Sequence, residues 1–249
     1  MSVVIGPPAT RLLFENDDVK IWMMDVAPGE TYPHHYHDYD YVLFYTTDVL
    51  ATVHDDAPED HTALWNARYD HGPSGLQSGK HGPRGLQSGK HGPSGLQSGK
   101  HGIWTYAHSV FFIPGTGFLS PGFVNIGDTA MVSPLIEVKR PRRTDQEHIG
   151  FARSDALVGL DPNGTAHLLE NDRLRVSYTT LAPGDRTTSD THRGSAVCVI
   201  DGAILRVEET GARHEVEMSS QSAHWRDGTE RQLSNTGTTV YREISVELK

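Results

Sequence analysis

The strongest constraint on the fold is that the chain repeats itself. Leu13-Phe14-Glu15-Asn16-Asp17 recurs 155 residues later as Leu168-Leu169-Glu170-Asn171-Asp172. At the same spacing Val19-Lys20-Ile21 matches Leu174-Arg175-Val176, and Ala27-Pro28-Gly29-Glu30 matches Ala182-Pro183-Gly184-Asp185. Further on the spacing falls to 110, where Asn125-Ile126-Gly127 matches Asn235-Thr236-Gly237 and Glu137-Val138-Lys139 matches Glu247-Leu248-Lys249. One unit of roughly a hundred residues is used twice, which is a duplicated domain and not a solenoid array. The first copy carries 45 extra residues between these anchors.

Each copy reads as β. Val19–Val26 and Leu174–Leu181 are rich in apolar and β-branched residues, Ala-Pro-Gly then marks a turn, and Tyr39–Tyr45 and Ala196–Ile200 are aromatic or aliphatic strand material. No long amphipathic helix interrupts them, so each half is expected to be an antiparallel barrel or sandwich. The extra residues are mostly a decamer, HGPSGLQSGK, written three times over 71–100 with one Ser-to-Arg change. Three glycines, one proline and one leucine per unit cannot bury a core, so the tract is expected to be a disordered loop. Its histidines, His71, His81, His91 and His101, also suit a flexible metal-capturing tract. The expected organisation is an N-terminal barrel over 1–139 containing the 71–102 repeat loop, a charged linker over 140–164, and a C-terminal barrel over 165–249.

Charge and composition exclude several partners. A net charge of −10 argues against a phosphate backbone, and no apolar run approaches membrane-spanning length. The N-terminus lacks the pattern of a secretory signal, so a cytoplasmic location is expected. The one cysteine, Cys198, excludes an internal disulfide and a cysteine-based zinc cage, and between Val197 and Val199 it reads as a small buried hydrophobe. His54 and His61 lie among acids and read as solvated, and Trp22, Trp65, Trp104 and Trp225 read as packing residues.

A Pro-Gly turn, five residues, and then His35-Tyr36-His37 entering a strand, with Pro114-Gly115 and Asn125-Ile126-Gly127-Asp128 downstream, resembles the cupin superfamily. Two such halves resemble a bicupin, and the resemblance covers about 10–139 and 165–249. It implies an all-β chain of two tandem double-stranded β-helix (jelly-roll, RmlC-like) barrels. The C-terminal ending, Arg242 to Lys249, resembles small cupins associated with β-alanine degradation. The resemblance further implies iron, manganese, nickel or zinc held by the paired histidines, a glutamate four residues on and a histidine four residues before the Asn. It also allows a homodimer.

His35 and His37 match the paired histidines, and positions i and i+2 of a strand share a face. The glutamate position is Tyr41 and the downstream histidine position Pro121. Tyr39, Tyr41, His61 and His108 could assist by residue type, with Tyr41 the catalytic candidate and Tyr39 and Tyr41 candidates for contacting substrate. In the second half Asp190, His192, Ala196 and Arg231 take the four ligand positions. A cation at one of them argues against a metal, and Arg231 suits an ion pair with Asp190 or a clamp on a substrate carboxylate. Two functional readings follow. One is a divalent-metal-dependent enzyme, dioxygenase-like or isomerase-like, acting on a small organic acid or phenol in the N-terminal barrel. The other is a metal-free cupin that binds a small molecule or serves as an assembly module.

Overall fold

A computed structural model describes residues 5–53, 102–105, 107–115, 117–120, 122–146, 152–154, 164–190 and 193–249. The decamer tract, His54, His61, Trp65, Pro121 and His192 lie outside them, as do the side chains of Trp104 and Asp190. Every regular element described is a strand except one 3₁₀ turn, Thr144–Gln146. No described helix is long and apolar enough to cross a membrane.

Four eight-residue strands carry the architecture, and all four contain or adjoin the duplicated anchors. Val19–Val26 pairs antiparallel with Met131–Val138, and Leu174–Leu181 pairs with Tyr241–Leu248. All four are largely buried; Val19–Val26 and Met131–Val138 are mostly apolar, whereas Leu174–Leu181 and Tyr241–Leu248 mix apolar with polar residues. One set of faces, including Ile21, Ile136, Val176, Cys198 and Ile244, merges into a single core between the halves. The opposite faces close two separate interiors. Met24, Val26, Tyr41 and Leu135 lie in the first, and Leu181, Leu205, Leu233 and Tyr241 in the second. The halves are thus two barrels packed back to back, sheet on sheet.

In the first half the inter-barrel sheet runs Ala152–Ser154, Val110–Ile113, Asp40–Phe44, Met131–Val138, Val19–Val26, Arg11–Glu15. In the second it runs Gly164–Glu170, Leu174–Leu181, Tyr241–Leu248, Ser195–Asp201, Ser222–Arg226. Ala152–Ser154 falls inside the stretch read as a linker. There the chain adds an edge strand to the first sheet before crossing to the second barrel.

The outer walls explain where the insertion went. In the second barrel Ile204–Glu209 pairs with Ala212–Glu217 across Thr210-Gly211. Both turn residues have positive φ (48° and 81°), the two-residue turn whose twist matches its strands. In the first barrel the corresponding strands, Val49–Val53 and Gly102–Thr105, still pair, with Thr52 opposite Gly102. The extra residues therefore replace the tip of one hairpin, and their ends are strand partners.

The Asn-x-Gly motif performs the same task in both barrels. Asn125 Nδ2 donates to Val26 O and Thr129 O, and its Oδ1 accepts from Gly127 N. Asn235 does the same with Leu181 O, Thr239 O and Gly237 N. Each asparagine is buried and ties the end of a long strand to the turn beside it.

Candidate functional site

The local sequence positions the two histidines. Pro28-Gly29 turns the chain with Gly29 at φ 78°, where a side chain would be strained, and Glu30 N donates to Ala27 O at 3.0 Å. Thr31–Tyr32 pairs with Phe123–Asn125, so Tyr32 and Phe123 face the barrel interior together. Pro33 then breaks the ladder before His34–His37, which pairs with Phe118–Ser120. The break lets Tyr32 and His35 share the interior although they are three residues apart, and their rings meet edge to face at 5.3 Å.

Inside the barrel the His35 and His37 rings lie edge to face with centroids 4.8 Å apart. Tyr41 stacks on His37 at 3.9 Å. Both histidines are almost fully buried. Burial disfavours their charged forms and takes His35 down to about 4, against a partial opposing effect of the Pro33 carbonyl; His37 falls well below the usual histidine range for the same reason, with His35 adding to it. Both rings are therefore neutral near pH 7. His35 Nδ1 lies 3.0 Å from Pro33 O, so Nδ1–H donates and the lone pair is on Nε2. Ser120 is buried opposite His35 in the ladder.

One group escaped the sequence reading. Glu137 is cross-strand neighbour to Tyr41 on the inner face, and its Oε2 accepts from Trp22 Nε1 at 2.9 Å. Burial raises its pKa against the Trp22 hydrogen bond. The sequence showed Glu137 only as a duplication anchor, because its place beside Tyr41 depends on pairing strands about a hundred residues apart.

The strand holding Tyr41 is anchored from behind. Asp40 points away from the barrel interior, as its parity requires. It takes a bidentate contact from Arg142, an ion-pair contact from Arg173 Nε at 2.7 Å, and Gly115 N–H at 2.8 Å. A Cβ on Gly115 would stand 2.1 Å from the Tyr39 carbonyl, so the Pro114-Gly115 turn needs glycine for close approach. Arg173 belongs to the second half and is buried, so this cluster joins the site strand to the other barrel.

The structure brings together His35, His37 and Tyr41. Tyr39 is half-buried at the rim, with the Lys20 ammonium 5.7 Å from its ring centroid. His108 lies away from the imidazole pair at the inter-barrel seam, between Phe44 and Tyr178. In the second barrel Arg231 pairs with Glu209 at 3.5 Å. Ala196 does not take the place of Tyr41. Glu137 faces Tyr41 in the ladder, and its counterpart Glu247 faces Ser195. Ala196 belongs to the inter-barrel core, because the second copy has one residue fewer before this strand. Cys198 is in the same core, its thiol pushed up to about 12 by burial, consistent with an inert packing role.

No family model matches the chain, and no curated protein matches it. Solved structures do. AerE from Microcystis aeruginosa aligns with a TM-score of 0.55 at 8% identity, covering 95% of this chain and 90% of that one. An oxalate decarboxylase aligns at 0.54 and 7%, covering 93% and 69%. The chain has the bicupin fold. The coconut allergen cocosin also aligns at 0.54 and 9%, covering 92% and 76%. An oxalate decarboxylase and a coconut allergen thus share this fold, and the function of this chain has to be argued from its own interior.

Proposed function

We propose that the N-terminal barrel is a small-molecule site in which His35 and His37 hold a divalent metal ion, and that it acts on a small organic acid or phenol. The observation that carries this reading is the pair of buried, neutral imidazoles side by side on one strand, with the Pro33 carbonyl leaving the lone pair of His35 on Nε2. The donor set fits iron, manganese, nickel or zinc as an open site with two protein nitrogens, the remaining positions falling to water or substrate. Such an ion would supply Lewis-acid polarisation or an O₂-binding position, the chemistry of dioxygenase-like or isomerase-like cupins. The protein's part is to hold the imidazoles and shape the cavity. Tyr41 stacks on His37 and fixes its plane, while Tyr32 and Phe123 exclude water and favour a planar substrate. Glu137 is placed to take up or deliver a proton on the Tyr41 side. With only two protein ligands, bound metal is expected to be labile and lost on chelation.

A second reading, a metal-free binding or assembly module, is favoured by a specific observation: no three His, Cys, Asp or Glu side chains among the described residues are grouped to hold an ion. Elemental analysis separates the two. The protein should be untagged and lack Gly72–His101, so that repeat histidines do not contribute. About one equivalent of metal, lost in the His35→Ala/His37→Ala variant, supports the enzyme; substrates would then be sought with oxygen uptake as the readout. No stoichiometric metal after reconstitution supports the metal-free module.

A further inference from the structure

The interior of the second barrel is built differently, with guanidinium groups and a carboxylate in it. His224 and Arg226 lie opposite Val197 and Ser195 on the inner face of that sheet, the face that carries Val199 into the barrel core. Arg231 is two residues from the core residue Leu233, and Glu243 two from the core residue Tyr241, so both share the same interior. Glu243 is completely enclosed. It takes both terminal nitrogens of Arg226 at 2.9 and 2.6 Å and the Tyr241 hydroxyl at 2.5 Å. Burial alone would raise the Glu243 pKa, but Arg226 holds it below the ordinary range, so this pair is charged and matched.

Arg231 is held more loosely. Its terminal nitrogen meets Glu209 at 3.5 Å, the Asp227 carbonyl at 3.2 Å and the Thr229 hydroxyl at 3.4 Å, and Glu209 is half-exposed and also engaged by the Thr229 hydroxyl, so all of these contacts fall on one end of the guanidinium. Arg226 and Arg231 are close enough that each adds to the electrostatic cost of a proton on His224, and Arg226 adds to that on Arg231. Among the described residues, Nε of Arg226 and Nε of Arg231 are both buried without a hydrogen-bond partner. Buried donors of this kind require an acceptor, and those of a guanidinium most of all.

We propose that the second barrel binds a small carboxylate-bearing ligand on Arg231 and the Nε–H of Arg226, with His224 beside it. The Arg226–Glu243–Tyr241 cluster forms the floor, and Arg231 supplies a second Nε–H that no described group accepts. The site is independent of the imidazole pair in the first barrel.

The test is calorimetric titration of the full chain with acetate and with benzoate, using sodium sulfate at equal ionic strength as the control. Saturable one-site binding of either carboxylate, retained in His35→Ala/His37→Ala and weakened at least about tenfold in Arg231→Met, is the expected result. Arg231→Lys keeps the charge and loses the planar fork, and it should also weaken binding; it serves if Arg231→Met does not melt cooperatively. Lack of saturable binding overturns the proposal. So does binding that sulfate matches, that survives both Arg231 substitutions, or that disappears only with the first-barrel histidines.

Discussion

Two ion pairs in this protein share a bidentate geometry and differ in burial, and they should differ in worth. Arg140 grips Asp18 at 2.6 and 2.8 Å, with the side chains 43% and 28% exposed. Arg142 grips Asp40 in the same way, but Asp40 is 3% exposed and also holds Arg173, which is 5% exposed. Removing one partner of a buried pair costs about 3–5 kcal/mol, because a charge is left without compensation; removing one from an exposed pair costs about 0–1 kcal/mol. Arg173 keeps bonds to the Val138 and Arg140 carbonyls, and Arg142 is partly solvated, so the lower end of the first range applies. Asp40→Asn should therefore cost about 3 kcal/mol and Asp18→Asn less than about 1 kcal/mol. Equilibrium urea denaturation, with both variants analysed at the wild-type slope, measures the difference. Equal losses would refute the argument that Asp40 and Arg173 join the barrels through a desolvated contact.

Asn125→Ala and Asn235→Ala should each cost at least about 3 kcal/mol, since each strands buried partners of three hydrogen bonds; the two losses should be similar, and a large disparity in urea melts would break the equivalence of the motifs. The lowered histidine pKa values set a pH dependence: the unfolded chain protonates His35 near 6.5 and the folded chain only near 4, so stability is full above pH 6.5 and falls by about 1.4 kcal/mol per pH unit toward pH 4. His37 adds to that slope, and in the presence of chelator a His35→Gln/His37→Gln variant should show a shallower one; an unchanged slope refutes the assignment. Deleting Gly72–His101 should leave the melting temperature unchanged, because a composition of three glycines, one proline and one leucine per decamer is expected to bury no core and the flanking strands pair; a large fall counts against a passive insertion.

Much of the fold was legible because it rests on local signals that occur twice. Apolar and β-branched residues mark the long strands Val19–Val26 and Leu174–Leu181, Pro-Gly marks the turn in each copy, and the Asn-x-Gly motif has one geometric use. The site was legible where neighbours in sequence are neighbours in space, as with His35, His37 and Tyr41. It was hidden where position depends on long-range register. The residue opposite His35 in the ladder is Ser120, a pairing that counting back from the Asn does not reveal, and Pro121, the position expected from that spacing, lies outside the described residues. The one-residue difference that puts Ser195, and not Ala196, in the place of Tyr41 arises in a connection where a deletion leaves the strand pattern unaltered. Nothing in the sequence around Arg173 points to its contact with Asp40, which depends on the docking of the second barrel on the first.

The two copies differ most where the fold constrains them least. Their inter-barrel faces must fit each other, so Ile136 and Val176 stay aliphatic and a thiol there behaves as a hydrophobe. The interiors face no such partner. In the first, neutral imidazoles and aromatic rings collect on one wall. In the second, a guanidinium locked to a carboxylate occupies the corresponding depth, with another guanidinium nearby. Imidazole nitrogens offer lone pairs to a cation, whereas guanidinium groups offer only donors to an anion. A single ligand chemistry would not select both linings. Duplication thus supplied two walls of one shape, and the divergence of their interiors argues for two different occupants, one bound by acceptors and one by donors.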